Sequence, residues 1–83
     1  MIDMIAFDYG APAELFSRGG KGAGGAMQYR RFATGAEAIR YAIEELPAAL
    51  LAGSIIQVDE DRFDATQIRE LYDCPAYPLV RAA

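Results

Sequence analysis

The amino-acid sequence predicts a small α+β domain, a βαβα unit preceded by a loosely attached N-terminal arm. Three observations carry this expectation. Residues 26–33 alternate at a period of two. Thr34 opens a stretch with helical apolar spacing that Pro47 stops. The same succession then recurs, with a strand over 54–59 and a helix over 65–73.

Taken in order, the arm covers residues 1–18. Residues 4–9 are apolar and aromatic around Asp8, which suits a short strand. From Ala11 to Gly19 the pattern favours a short helix, with Pro12 near its start, Glu14 in the first turn, Arg18 in the last and Gly19 beyond the end; a strand is the alternative. Residues 19–25 hold five glycines and Lys21 and read as a flexible connection. In the strand 26–33, Met27 and Tyr29 share one face while Gln28, Arg30 and Phe32 share the other. Neither face is purely apolar, as expected of an edge strand or one side of an interface.

Thr34-Gly35-Ala36-Glu37 has the form of a capping box at the head of a helix over 35–46. Ala36, Ile39, Ala42, Ile43 and Leu46 make its apolar stripe, and Glu37, Arg40, Glu44 and Glu45 fall elsewhere. Pro47 ends the helix, because the residue before proline avoids the α region, and can open a short turn through Leu50 and Leu51 that Gly53 closes. Ile55, Ile56 and Val58 make 54–59 a buried strand. The link from 26–33 to 54–59 is long enough for a right-handed parallel crossover. Asp64 with Gln67 then caps the helix 65–73, with Phe63 and Ile68 placed as a hydrophobic staple and Ile68, Leu71 and Tyr72 facing inward. Cys74-Pro75 and Tyr77-Pro78 force an extended tail, so the core unit spans 26–83. Two strands alone make a poor sheet. Cover must come from 4–9 as a third strand or from a second copy, and a free strand edge favours a homodimer.

Composition narrows the function. Of 83 residues 53% are hydrophobic, enough for a core in one small domain that a partner would help to complete. Eight basic and twelve acidic residues give a net charge of −4, which argues against anionic membranes and weakly against nucleic acid. The longest uncharged stretch, 46–58, is broken by Pro47 and Gly53 and falls short of the ~20 residues a spanning helix needs. Asp3 and Asp8 stand where a secretory leader would be basic, and the one cysteine, Cys74, suits a reducing cytoplasm. With no histidine in the chain, the usual general base and zinc ligand are missing, and Cys74 has no partner to activate it. An enzyme is therefore not expected, and no cofactor or metal is.

Gly20-Lys21-Gly22-Ala23-Gly24-Gly25 spells GxGxxG, but a strand rather than a helix follows it, and Lys21 lacks the Ser or Thr of a phosphate loop. Asp59, Glu60, Asp61 and Asp64 lack the ligand spacing of a calcium loop and are better explained as acids near a helix N-terminus. Arg18, Lys21, Arg30 and Arg31, interleaved with Tyr29 and Phe32, are the candidate contacts for nucleic acid or another anion. Tyr29 and Phe32 are also the candidate partner surface. A non-enzymatic protein-interaction module, pairing with itself or another protein, is the leading expectation; a nucleic-acid or anion binder is the alternative.

Tyr29-Arg30-Arg31-Phe32-Ala33-Thr34, the run from Glu37 to Pro47, then Val58-Asp59-Glu60, Arg62-Phe63-Asp64, Ile68-Arg69, Leu71-Tyr72 and Tyr77-Pro78-Leu79 resemble a set of short bacterial proteins of uncharacterised function. The resemblance covers most of the chain from Met27 onward, together with 12–16. It implies one compact cytoplasmic unit and assigns no functional residue.

Overall fold

Residues 7–18 and 27–80, the part of the chain described by a computed structural model (Arg18 by its backbone alone), form seven elements. These are β1 (Ala13–Arg18), β2 (Met27–Phe32), α1 (Gly35–Glu44), α2 (Ala48–Ala52), β3 (Ile55–Val58), β4 (Asp61–Phe63) and α3 (Ala65–Asp73). The strands make one antiparallel sheet in the order β2-β1-β3-β4, and with three helices the fold is a small α+β domain.

The expected elements at 26–33, 35–46, 54–59 and 65–73 are present with small shifts at their ends, but their arrangement differs from a two-stranded βαβα unit. The stretch read as a short helix from Ala11 is β1, and it lies inside the sheet, paired with β2 on one side and β3 on the other. Alternation decides this. Ala13, Leu15 and Ser17 are buried while Glu14 and Phe16 are not, a period of two that end-signals such as Pro12 and Gly19 do not override. With β1 interposed, β2 and β3 do not touch as neighbours, but both run antiparallel to β1 and hence parallel to each other, so the link through α1 and α2 is a parallel crossover that spans β1. The strand expected over 4–9 lies partly outside the described residues. Within them, 8–11 is a turn, with Gly10 N–H donating to Asp8 Oδ1 at 3.0 Å and Ala11 N–H to Asp8 O at 3.2 Å. Sequence reading also missed β4. It pairs with β3 through a two-residue connection at which Asp59 takes φ 55°, a left-handed conformation that Asp tolerates better than most residues.

Register places the two faces of the sheet. Cross-strand partners share a face, and Leu15 stands between Arg30 and Ile56, which in turn faces Phe63. This face is the core side. Leu15, Ala13, Ile56, Val58 and Phe63 pack there with Ala36, Ala38, Ile39 and Ala42 of α1 and Ile68, Leu71 and Tyr72 of α3. The expected α1 stripe is thus correct at Ala36, Ile39 and Ala42. Ile43 and Leu46 are half-buried at the margin, while Ala38, outside the expected stripe, is fully buried with Ile39 and Ala42. The Thr34 hydroxyl accepts from the Glu37 amide at 3.2 Å, one half of the box. At α3 both halves are made, Gln67 N–H to Asp64 Oδ1 and Asp64 N–H to Gln67 Oε1, each 3.0 Å. Pro47 caps α2, and the Ser54 hydroxyl just beyond it donates to Leu50 O at 2.7 Å.

A seam of rings ties the two ends of the described chain to the helices. Phe7 meets Tyr9 and Phe63 edge-on at 5.0 Å each, Tyr9 meets Tyr77 at 5.8 Å, and Tyr77 meets Tyr72 at 5.2 Å. Every tyrosine hydroxyl in it has an acceptor: Leu71 O for Tyr9 (2.9 Å), Ala36 O for Tyr77 (2.9 Å) and Glu44 Oε2 for Tyr72 (2.5 Å). The Ala36 amide, which the helix itself leaves unpaired, donates to Tyr9 O at 2.9 Å. Gly35 is required here, since a Cβ on it would stand 2.8 Å from the Phe7 ring. The tail expected to be extended turns instead at 74–77, with Tyr77 N–H donating to Cys74 O at 3.0 Å, and this turn brings Tyr77 into the core.

Candidate interaction surface

The helices lie on one side of the sheet, and on the other side no described side chain is buried. Register assembles that open face from Met27, Tyr29 and Arg31 of β2, Glu14 and Phe16 of β1, Ile55 and Gln57 of β3 and Arg62 of β4. Its apolar part is concentrated at the β2 side. Phe16 and Tyr29 are direct cross-strand partners with ring centroids 5.3 Å apart, and Met27 and Tyr29 are 53% and 55% exposed, large areas for residues of their type. β2 is also an outer strand of the sheet. All six of its residues pair with β1, and among the described residues no strand lies against its other edge.

Polar contacts hold this patch in shape. The Tyr29 hydroxyl donates to Glu14 Oε2 at 2.9 Å. That hydrogen bond raises the Tyr29 phenol above its ordinary value of 10.0, aided by desolvation and by the Glu14 charge, with Arg31 pulling the other way. Arg31 stands directly across from Glu14 in the register. Arg30 points to the opposite face, where its guanidinium carbon lies 4.6 Å from the Tyr41 ring centroid and 5.7 Å from that of Phe32.

The expected site residues are therefore divided. Arg30 and Phe32 are on the helix side, stacked with Tyr41, while Arg31 and Tyr29 are on the open face. Arg18 ends β1 opposite Met27. Its side chain, and Lys21 with the whole GxGxxG stretch, lie outside the described residues. Of the pair Tyr29 and Phe32, only Tyr29 faces outward from the open side. Phe32 is half-buried and its ring is 5.4 Å from Tyr41. The missed residues are Phe16 and Glu14. The alternation of Ala13, Leu15 and Ser17 with Glu14 and Phe16 is the signal that reveals them.

Two open depressions flank β2 and its neighbours, the first on the helix side and the second on the open face. One of about 300 Å³ is bounded by Phe32, Glu37, Arg40, Tyr41 and Glu45, and another of about 280 Å³ by Pro12, Glu14, Arg31, Gln57 and Asp59. Among the described residues no three Cys, Asp or Glu side chains are grouped to hold a metal ion, and no helix is long and apolar enough to cross a membrane. Comparison of the chain with protein-family models, with curated proteins and with solved structures gives no match.

Proposed function

We propose that this chain is a non-enzymatic interaction module of the reducing cytoplasm, binding protein through the β2 flank of its sheet. The observation that carries the reading is the exposure of Met27 and Tyr29 on an edge strand, beside Phe16. An edge strand offers unpaired backbone groups to a second chain, and flanking aromatic side chains supply apolar contact area. The absence of histidine and the lone Cys74 support a role without acid–base or nucleophilic chemistry. The test compares the wild-type chain with the double variant Met27→Asp, Tyr29→Asp, each immobilised and challenged at low and high salt. A complex, with itself or another protein, should survive high salt on the wild type and be lost on the variant. Equal retention on both, or none on either, rules out this surface.

A second reading rests on a specific arrangement. Phe16 and Tyr29 are adjacent rings on an open antiparallel sheet that also carries Arg31 and Arg62, groups able to stack bases and meet phosphates. It ranks lower because Arg31 faces Glu14 and Arg30 is turned to the other side. Anisotropy of a labelled single-stranded oligonucleotide decides it. Binding that falls steeply with salt and is weakened by Tyr29→Ala would put it first; no binding at low salt removes it.

A further inference from the structure

Resting on the interaction reading, we infer that the occupant of the β2 edge is a second copy of this chain, its β2 running antiparallel about a two-fold axis that passes between Tyr29 and its copy, perpendicular to the sheet. Two edge arginines would ordinarily discourage pairing. Here neither guards the edge, because Arg30 is stacked back on Tyr41 and Arg31 stands across from Glu14. The strand is also self-complementary in only one register. Residues opposite each other in an antiparallel pair share a face, so an axis perpendicular to the sheet must set one residue of β2 opposite its own copy. Centred on Tyr29, it sets Met27 opposite Arg31, Gln28 opposite Arg30 and Tyr29 opposite itself, with no like charges facing. Centred on Arg30 or Arg31 it would put an arginine directly opposite its own copy, a destabilising arrangement. Centred on Gln28 it would engage fewer residues of the strand.

The Tyr29 register satisfies either alternation of outward backbone groups. If those of 27, 29 and 31 point outward they meet one another across the seam, and if those of 28 and 30 do, these two meet instead. It also keeps both open faces on one side of a continuous eight-stranded sheet, so that the two Phe16–Tyr29 pairs join into a row of four rings across the seam. An axis lying in the sheet would turn the two open faces to opposite sides and break that row.

Cysteine cross-linking tests the geometry. In a Cys74→Ser background, Tyr29→Cys should form a disulfide-linked dimer on mild oxidation, because directly opposed residues stand about 4.5–5.5 Å apart at Cα, within disulfide reach. A mixture of Met27→Cys and Arg31→Cys should cross-link as a heterodimer. Met27→Cys alone should not, since its two copies would be about 13 Å apart. Light scattering on the otherwise unaltered protein should give twice the chain mass. A monomer mass at every concentration overturns the self-pairing, and so does efficient cross-linking of Tyr29→Cys with Arg31→Cys in place of these pairs. In either case the interaction reading is judged separately: a chain that does not pair with itself yet binds another protein through Met27 and Tyr29 leaves that reading standing.

Discussion

The ring seam at Phe7, Tyr9, Phe63, Tyr72 and Tyr77 and the Phe16–Tyr29 pair on the open face use the same residue types at nearly the same spacing, 5.0–5.8 Å against 5.3 Å. They differ first in what covers the rings: Tyr72, like Tyr29, donates to a carboxylate, that of Glu44, but is 6% exposed. Tyr9 and Tyr77 donate to backbone carbonyls of α3 and α1, and Tyr77 is 6% exposed. Tyr29 donates to a carboxylate and is 55% exposed. A buried phenol must be satisfied by a group fixed in the fold, so each seam tyrosine ties a segment in place. An exposed phenol held by a movable glutamate fixes little, and its ring area remains available to a partner.

The contrast is broken or sharpened by substitution. Tyr77→Ala should destabilise the fold by about 3–5 kcal/mol, as for other buried rings. Tyr29→Ala should stay within about 1 kcal/mol when unfolding in urea is followed at high dilution. Equal losses would mean that the open face is part of the core. Gly35→Ala should cost about 1–3 kcal/mol, because Phe7 must move from its 2.8 Å approach. Removing only the hydroxyl separates the regions further. Tyr77→Phe removes a buried hydrogen bond to the Ala36 carbonyl, which keeps its partner in the α1 ladder, and should cost about 0.5–1.5 kcal/mol, whereas Tyr29→Phe should fall within about 0.5 kcal/mol.

The smallest effect is on titration. The folded Tyr29 phenol is raised above its ordinary value, so the hydrogen bond to Glu14 is fully present below the unfolded phenol's pKa and is lost as pH rises through the raised one. Glu14→Gln removes the nearby negative charge, and tyrosinate absorbance should then show Tyr29 ionising at lower pH than in the wild type. An unchanged titration would show that Glu14 does not control that phenol.

Much of this was legible in the sequence where local signals act alone. Thr34, Pro47, Asp64 with Gln67, and Gly53 each mark a boundary through a backbone group they satisfy or a conformation they exclude, and each acts there in the fold. Alternation in 27–32 likewise put Met27 and Tyr29 opposite Arg30 and Phe32 correctly. The failures concern partners far apart in sequence. The alternation in 13–17 was open to reading, but six residues with helix-like ends outweighed it, because β2 and β3, which bond both edges of this strand, lie far along the chain. Phe16 was consequently not seen beside Tyr29, nor Arg30 beside Tyr41, so the candidate site was only half legible. Tyr77 looked like part of a tail because its anchor, Ala36 O, lies 41 positions away.

The position of β1 bears on how the chain is made. Its inner place means that both hydrogen-bonding edges of the earliest strand among the described residues wait for segments synthesised afterwards, β2 first and β3 some 40 residues downstream. A nascent chain released from the ribosome before 55–58 would hold Leu15 and Phe16 in a half-paired hairpin, open to the wrong neighbour. Stalled or truncated translation products ending between α1 and β3 should therefore be the aggregation-prone species of this protein, and a pause after Val58 the safe one.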